Sequence, residues 1–279
     1  MPRLHALITG ASRGLGRKIA QEFWDRGANL ALAARSRSAL EETAASLPPR
    51  DGQTVALLPA DLADPAAPEA LMSELRLRWD RLDALVNNAA IVGPIGHAWE
   101  NDWQEWERTI RINLLAPVAL CRLAIPWMRS GAAIVNLSGG GATGPRPNFT
   151  AYGTAKAGLA RFTETLAVEA AAAGIRVNAI APGAMNTEML EAVLEAGAAA
   201  GKEFEAAVRQ KESGGQSPEN AAALAWHLVS PESAPITGRL ISAVWDPWQN
   251  LAQRGEELRA SDIYTLRRIT PEDRGKQWN

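Results

Sequence analysis

Cysteine is almost missing from this chain of 279 residues: Cys121 stands alone, which excludes an intrachain disulfide and suits a reducing cytosol. Charge of either sign is not in excess, and a net charge of −2 argues against a general nucleic-acid binder. No apolar run approaches the ~20 residues of a membrane span. The N-terminus, Met-Pro-Arg-Leu-His, leads straight into a strand without a signal-peptide pattern. Histidine is scarce and scattered, at His5, His97 and His227, so nothing has metal-ligand spacing. No arginine cluster marks a phosphorylated substrate, no repeat recurs, and no linker separates two domains. These absences point to a soluble, cytoplasmic protein with one ample core, binding no metal, membrane or nucleic acid. Aromatic residues are few apart from ten tryptophans.

What is present begins with a strand at 4–9, a glycine loop and a helix at 17–26. The loop reads Thr9-Gly10-Ala11-Ser12-Arg13-Gly14-Leu15-Gly16. Glycines there let backbone approach a pyrophosphate, and the following helix offers free N–H groups and a positive dipole end. A strand at 29–34 then ends in Ala34-Arg35. A dinucleotide fold places an acid at this point for the adenosine ribose, whereas arginine suits a 2′-phosphate. The acid is missing. Arg35, with Arg13 from the glycine loop, therefore favours NADP(H) over NAD(H), guanidinium being the better fork for phosphate.

A strand at 54–58 leads to Asp61-Leu62, where the carboxylate either meets the adenine edge or caps a helix. Another, at 84–86, ends in Asn87-Asn88-Ala89-Ala90, a small polar turn that lets backbone pass near a ribose. Helical sequence over 99–123 contains Asn113, which disfavours helix interiors and asks for a kink or a bound water. A buried strand from Ile134 opens into Ser138-Gly139-Gly140-Gly141, and a long helix begins near Tyr152-Gly-Thr-Ala-Lys156. Residues four apart share a helical face, so an ammonium at Lys156 can stabilise the Tyr152 anion. A strand at 175–180 ends in Pro182-Gly183 and Thr187. Strands alternating with helices predict an α/β, Rossmann-type, doubly wound parallel sheet in a single domain, with functional loops at the carboxyl ends of the strands. Residues 1–244 form that domain, 188–214 a mobile lid, and 245–279 a C-terminal tail carrying Trp245 and Trp248. Those two tryptophans read foremost as packing residues, with a pocket wall or a subunit contact as the other roles.

Together the pieces resemble the short-chain dehydrogenase/reductase family over about residues 4–244. They are Thr-Gly-x-x-x-Gly-x-Gly at 9–16, Asp61, Asn-Asn-Ala at 87–89, Asn113, Ser138, Tyr152-x-x-x-Lys156, and Pro-Gly-x-x-x-Thr at 182–187. The resemblance implies an oxidoreductase interconverting a secondary alcohol and a ketone, or an aldehyde, on a small-molecule substrate. Tyr152 is then the general acid, Lys156 binds the nicotinamide ribose and lowers the tyrosine pKa, and Asn113 holds a water in a proton relay. Residues 180–183 and Thr187 contact the nicotinamide end. It also implies a homodimer or homotetramer paired through the helices of Asn113 and Tyr152.

Two departures stand out. The family places its serine thirteen residues before the tyrosine, and here that register falls on Gly139, with Ser138 one residue earlier. Either the glycine run lets Ser138 take the role, or Thr143 or a water substitutes, or the site is impaired; flexible glycines tilt the choice towards Ser138. An impaired site corresponds to a second reading, a dinucleotide-binding sensor or structural subunit. The other departure is the tail, since the family ends soon after its last strand.

Overall fold

A computed structural model describes residues 3–278. Seven strands form its sheet: β1 (His5–Thr9), β2 (Asn29–Ala34), β3 (Val55–Pro59), β4 (Leu82–Asn87), β5 (Met128–Leu137), β6 (Arg176–Ala181) and β7 (Leu240–Ser242). All are parallel, in the order β3-β2-β1-β4-β5-β6-β7. Strands such as Asn-Leu-Ala-Leu-Ala-Ala in β2 are apolar throughout because a parallel sheet is covered on both faces. Alternate side chains feed separate cores: Ala6, Ile8, Leu30 and Leu32 on one face, Leu7, Ala31 and Ala33 on the other.

The first face packs on α1 (Gly14–Asp25), α2 (Arg37–Ala45) and α9 (Pro218–Val229), through Ile19, Phe23, Leu40 and Leu224. The second packs on α3 (Ala67–Arg76), α5 (Ala116–Ala124) and α6 (Thr150–Glu169), through Leu71, Leu75, Leu120, Ala124 and Leu166. The reversal of strand order falls between β1 and β4, so the loops after these strands open into a common crevice. The doubly wound sheet expected from the sequence is the observed fold.

Boundaries differ where local chemistry intervenes. Helix α1 starts at Gly14, since Arg17 N–H already donates to Arg13 O at 3.1 Å and closes a helical turn inside the glycine loop. The helical stretch expected over 99–123 is α4 (Trp103–Ile110), a π-helical turn (Arg111–Leu115) and α5. By length and composition, Trp103–Trp127 is apolar enough to cross a membrane, contrary to the expectation that no run approaches that length. It is a core element here, burying Ile112, Leu120 and Ala124 against the domain. The stretch read as a lid comprises α7 (Glu188–Ala196) and α8 (Lys202–Ser213).

The tail packs against the domain. After a 3₁₀ segment (Trp248–Arg254) and α10 (Gly255–Arg259), it runs beside β7, where Leu240 N–H donates to Tyr264 O at 2.9 Å. Arg239 donates to the carbonyls of Leu258, Ser261 and Ile263. Leu266 N–H donates to Glu164 on α6 at 2.6 Å. Trp248, Leu251 and Leu258 are buried, Trp248 lying 5.6 Å from the His227 ring, while Trp245 is 82% exposed. The packing role read for these tryptophans holds for Trp248 alone.

Candidate active site

The crevice is built first from the glycine loop. Gly10 has φ +65°, and a Cβ there would stand 2.8 Å from Ala89 Cα; one on Gly16 would stand 2.1 Å from Gly10 O. Only glycine lets β1, the loop and the β4 turn close together in this way. Helix α1 has no side-chain cap and no acid in its first turn, so its N–H groups and dipole are open to an anion. Ser12 supplies the loop carbonyl that accepts from Arg17 at 2.7 Å, and Leu15 is buried behind it. Beyond the loop lies a cleft of about 280 Å³, lined by Gly14, Leu15, Met185, Asn186, Thr187 and Gln216 among others. The uncapped helix and the cradle that a Cβ would fill fit the pyrophosphate of a dinucleotide.

Several expected contacts are placed elsewhere. Thr9 is buried, and its hydroxyl accepts from Asn88 N at 3.0 Å and Ala89 N at 3.1 Å, making it a strut inside the loop. Asn87 turns into the core, where its Nδ2 donates to Asn136 Oδ1 at 2.8 Å. Asn88, part of the motif but given no role of its own, does the bracing: its Nδ2 donates to Thr9 O at 2.9 Å and Gly10 O at 3.2 Å. Arg13 forms an ion pair with Glu188 at the start of the lid, whereas Arg35 makes no ion pair among the described residues. Asp61 is exposed and accepts from Ala63 N at 3.0 Å, a turn within the loop and not a helix cap; Leu62 beside it is buried. Pro182 and Gly183 follow β6, and Thr187 starts α7 with its methyl near Gly14.

Tyr152 and Lys156 lie in the first turns of α6, both almost fully buried. Lys156 Nζ donates to Leu137 O at 2.7 Å and stands 5.6 Å from the Tyr152 ring centroid. Burial brings the Lys156 pKa down to about 8. Burial pushes the Tyr152 phenol up, with the Arg146 guanidinium opposing that rise and Glu203 adding to it. Leu190 and Val193 of α7 pack in one apolar cluster with Phe149 and Tyr152.

The serine position is the exception. Ser138 is buried, and its hydroxyl is directed at Lys156 O at 3.5 Å, the far limit of a hydrogen bond. Gly139 is the residue that faces the tyrosine: a Cβ there would stand 2.6 Å from Tyr152 Oη. Thr143 is exposed.

Asn113 explains its own awkward placement. Its Nδ2 donates to Ile91 O at 2.7 Å and its Oδ1 accepts from Ile91 N at 2.9 Å, clamping the β4 loop, and it sits within the π turn. Helix α6 is tied to the sheet by a buried polar chain, Asn87 to Asn136 and then Asn136 Nδ2 to Thr163 Oγ1 at 2.9 Å. Sequence reading missed this chain, and also Arg146 and Glu203, whose pairing joins segments 57 positions apart. A second asparagine directly after Asn87 was the available signal for Asn88; nothing local marked Arg146.

Comparison with known proteins bears on the family and the fold. The family pattern described as enoyl-(acyl carrier protein) reductase matches residues 10–243. The chain is 35% identical over 238 residues to 3beta-hydroxysteroid dehydrogenase 1 of Eggerthella lenta, covering 83% of this chain and 88% of the relative. It superposes on the angucycline C-6 ketoreductase LanV with bound NADP at a TM-score of 0.75, with 28% identity over 86% of this chain and 93% of the other. An NAD+-bound xylitol dehydrogenase fits with a TM-score of 0.76 and 26% identity, over 86% and 96% of the two chains. The family pattern spans most of the chain and the fold matches these structures, so the chain belongs to the short-chain dehydrogenase/reductase family of oxidoreductases acting on CH–OH groups.

Proposed function

We propose that the protein is an NADP(H)-dependent oxidoreductase that interconverts a secondary alcohol and a ketone, or an aldehyde, with Tyr152 as general acid and base. The observation that carries this reading is a buried lysine one helical turn from a buried tyrosine, in a fold whose glycine loop borders an open cleft. A nicotinamide supplies, when bound, the hydride exchanged with carbon. In reduction, Tyr152 Oη gives its proton to the carbonyl oxygen as that oxygen gains charge. Lys156, whose ammonium is held by Leu137 O, stabilises the phenolate left behind and reloads it through Asn113 and water. Lid closure brings Leu190 and Val193 over the tyrosine and excludes bulk solvent. Their company, with Val92, Ile95 and Phe204, favours an apolar substrate body around the polar reacting carbon.

Preference for NADP(H) rests on Arg35, exposed and without an ion-pair partner at the end of β2, and on the absence of an acid there. Pairing through the helices of Asn113 and Tyr152 gives a homodimer or homotetramer, and exposed Leu115 and Val168 on those elements favour it.

One observation favours a second reading, a dinucleotide-binding subunit without turnover: Gly139 occupies the serine register and Ser138 is turned away. The Tyr152→Phe variant separates the two. Turnover of a ketone panel with NADPH is expected to fall at least ~100-fold, while NADPH affinity, read by tryptophan-to-nicotinamide energy transfer, holds. Turnover that survives the substitution overturns the mechanism, and tighter binding of NADH than NADPH overturns the cofactor preference.

A further inference from the structure

The Tyr152 hydroxyl lacks the neighbour that the family supplies, since its facing residue is Gly139. Another group has been brought to the ring. The Arg146 guanidinium lies 5.1 Å from the Tyr152 ring centroid and 4.1 Å from that of Phe149. It is not free to wander. Glu203, in the first turn of lid helix α8, accepts from Arg146 Nε at 2.7 and 2.9 Å and from Nη2 at 2.5 Å. This fork-on-fork pair is mostly buried, with 19% and 34% of the two side chains exposed. A bidentate guanidinium–carboxylate pair out of water fixes geometry better than any surface ion pair.

We propose that Arg146, seated by Glu203, is a positioning residue for Tyr152 that takes over from the missing serine, holding the ring by its face and favouring the phenolate. This rests on the reading of Tyr152 as the acid and base. Three charged groups face the tyrosine: Lys156 from its own helix, Arg146 from the glycine-rich loop, and Glu203 from the lid. Lys156 is held from the sheet by Leu137 O, whereas Arg146 is paired with Glu203 of α8, so Arg146 is the cation whose environment the lid controls. With the lid down, Glu203 cancels part of the Arg146 field; with the lid raised, Arg146 acts on the phenol alone. Ionisation of Tyr152 is thereby coupled to lid position, through one residue that touches both.

The chain has two tyrosines, Tyr152 and Tyr264, so a Tyr264→Phe background leaves Tyr152 as the single phenol. Its titration can be followed by ultraviolet difference absorbance of the phenolate, with circular dichroism reporting the fold at each pH. Arg146→Met keeps the aliphatic stem and is expected to raise the midpoint by about one unit, with Arg146→Lys recovering part of the shift. Glu203→Gln is expected to lower it. The double variant Arg146→Met/Glu203→Gln leaves no charge unpaired, and its midpoint should still lie above the parent's, because the arginine acts on the phenol more strongly than the carboxylate does. A folded Arg146→Met or double variant with an unmoved midpoint overturns the proposal. Because the titration needs no substrate, its outcome is independent of whether turnover is found; a chain that titrates as expected but reduces nothing keeps the coupling of Arg146 to the Tyr152 phenol and loses its catalytic meaning.

Discussion

At the scale of single residues, Lys156 carries a cost that the proposed chemistry calls for. Burial moves its pKa from 10.5 to about 8, so the fold binds fewer protons than the unfolded chain between those values. Stability therefore rises with pH across that window and carries the full penalty below it. The shift corresponds to about 3 kcal/mol, and losing the bond to Leu137 O gives back about 1 kcal/mol. Lys156→Met should thus stabilise the protein by about 2 kcal/mol at neutral pH, with the gain fading towards alkaline pH, and abolish turnover. Urea unfolding at neutral and alkaline pH measures both parts; a destabilised Met variant at neutral pH would show that the ammonium is a net support. The Tyr-Lys pair was legible because four-residue spacing on a helix is a property of sequence alone. Arg146 was not, since its worth depends on Glu203, and no local pattern announces a contact across 57 positions.

Among the elements, the π turn at Arg111–Leu115 shows a sequence oddity with a structural cause. An asparagine inside a helical stretch signalled a kink, and the widened turn seats Asn113, whose amide clamps both backbone groups of Ile91. Removing the clamp leaves buried peptide groups without partners. Asn113→Leu should cost about 2–4 kcal/mol and disturb the β4 loop that braces Gly10, weakening NADPH binding along with turnover. If denaturant midpoint and NADPH affinity both match the parent, the clamp is decorative. Most strands were read to within two residues, because apolar runs leave little choice of conformation. Strand β5 begins at Met128, six positions before the Ile134 expected, since Arg129, Ser130 and Gly131 are exposed and carry no apolar signal. Helix α1 was read to begin three residues late, because a glycine loop and a helical first turn look alike in sequence when the turn itself contains glycine.

For the whole molecule, the doubly wound sheet followed from alternation of strand and helix, whereas the path of the tail did not. Nothing in Trp-Asp-Pro-Trp says that residues 258–266 will lie along β7. The tail covers the sheet edge, and removing it strips Trp248, Leu251 and Leu258 from the core and orphans Arg239. Truncation after Val244 is expected to destabilise the fold by more than ~3 kcal/mol and to expose an edge strand that invites aggregation. Size-exclusion chromatography and thermal melting decide this; a monodisperse truncated chain melting with the parent would make the tail an ornament.

The same tail has a kinetic meaning. Its anchors, Arg161 and Glu164, lie 105 and 102 positions before Leu266, among the most distant pairings in the chain. Contacts of such separation reward the chain only after the loops between them have closed. Helix α6 and β7 must therefore stand before the tail has anything to grip, and the tail docks last. During synthesis the tail emerges after β7, so until it does the β7 edge lies bare.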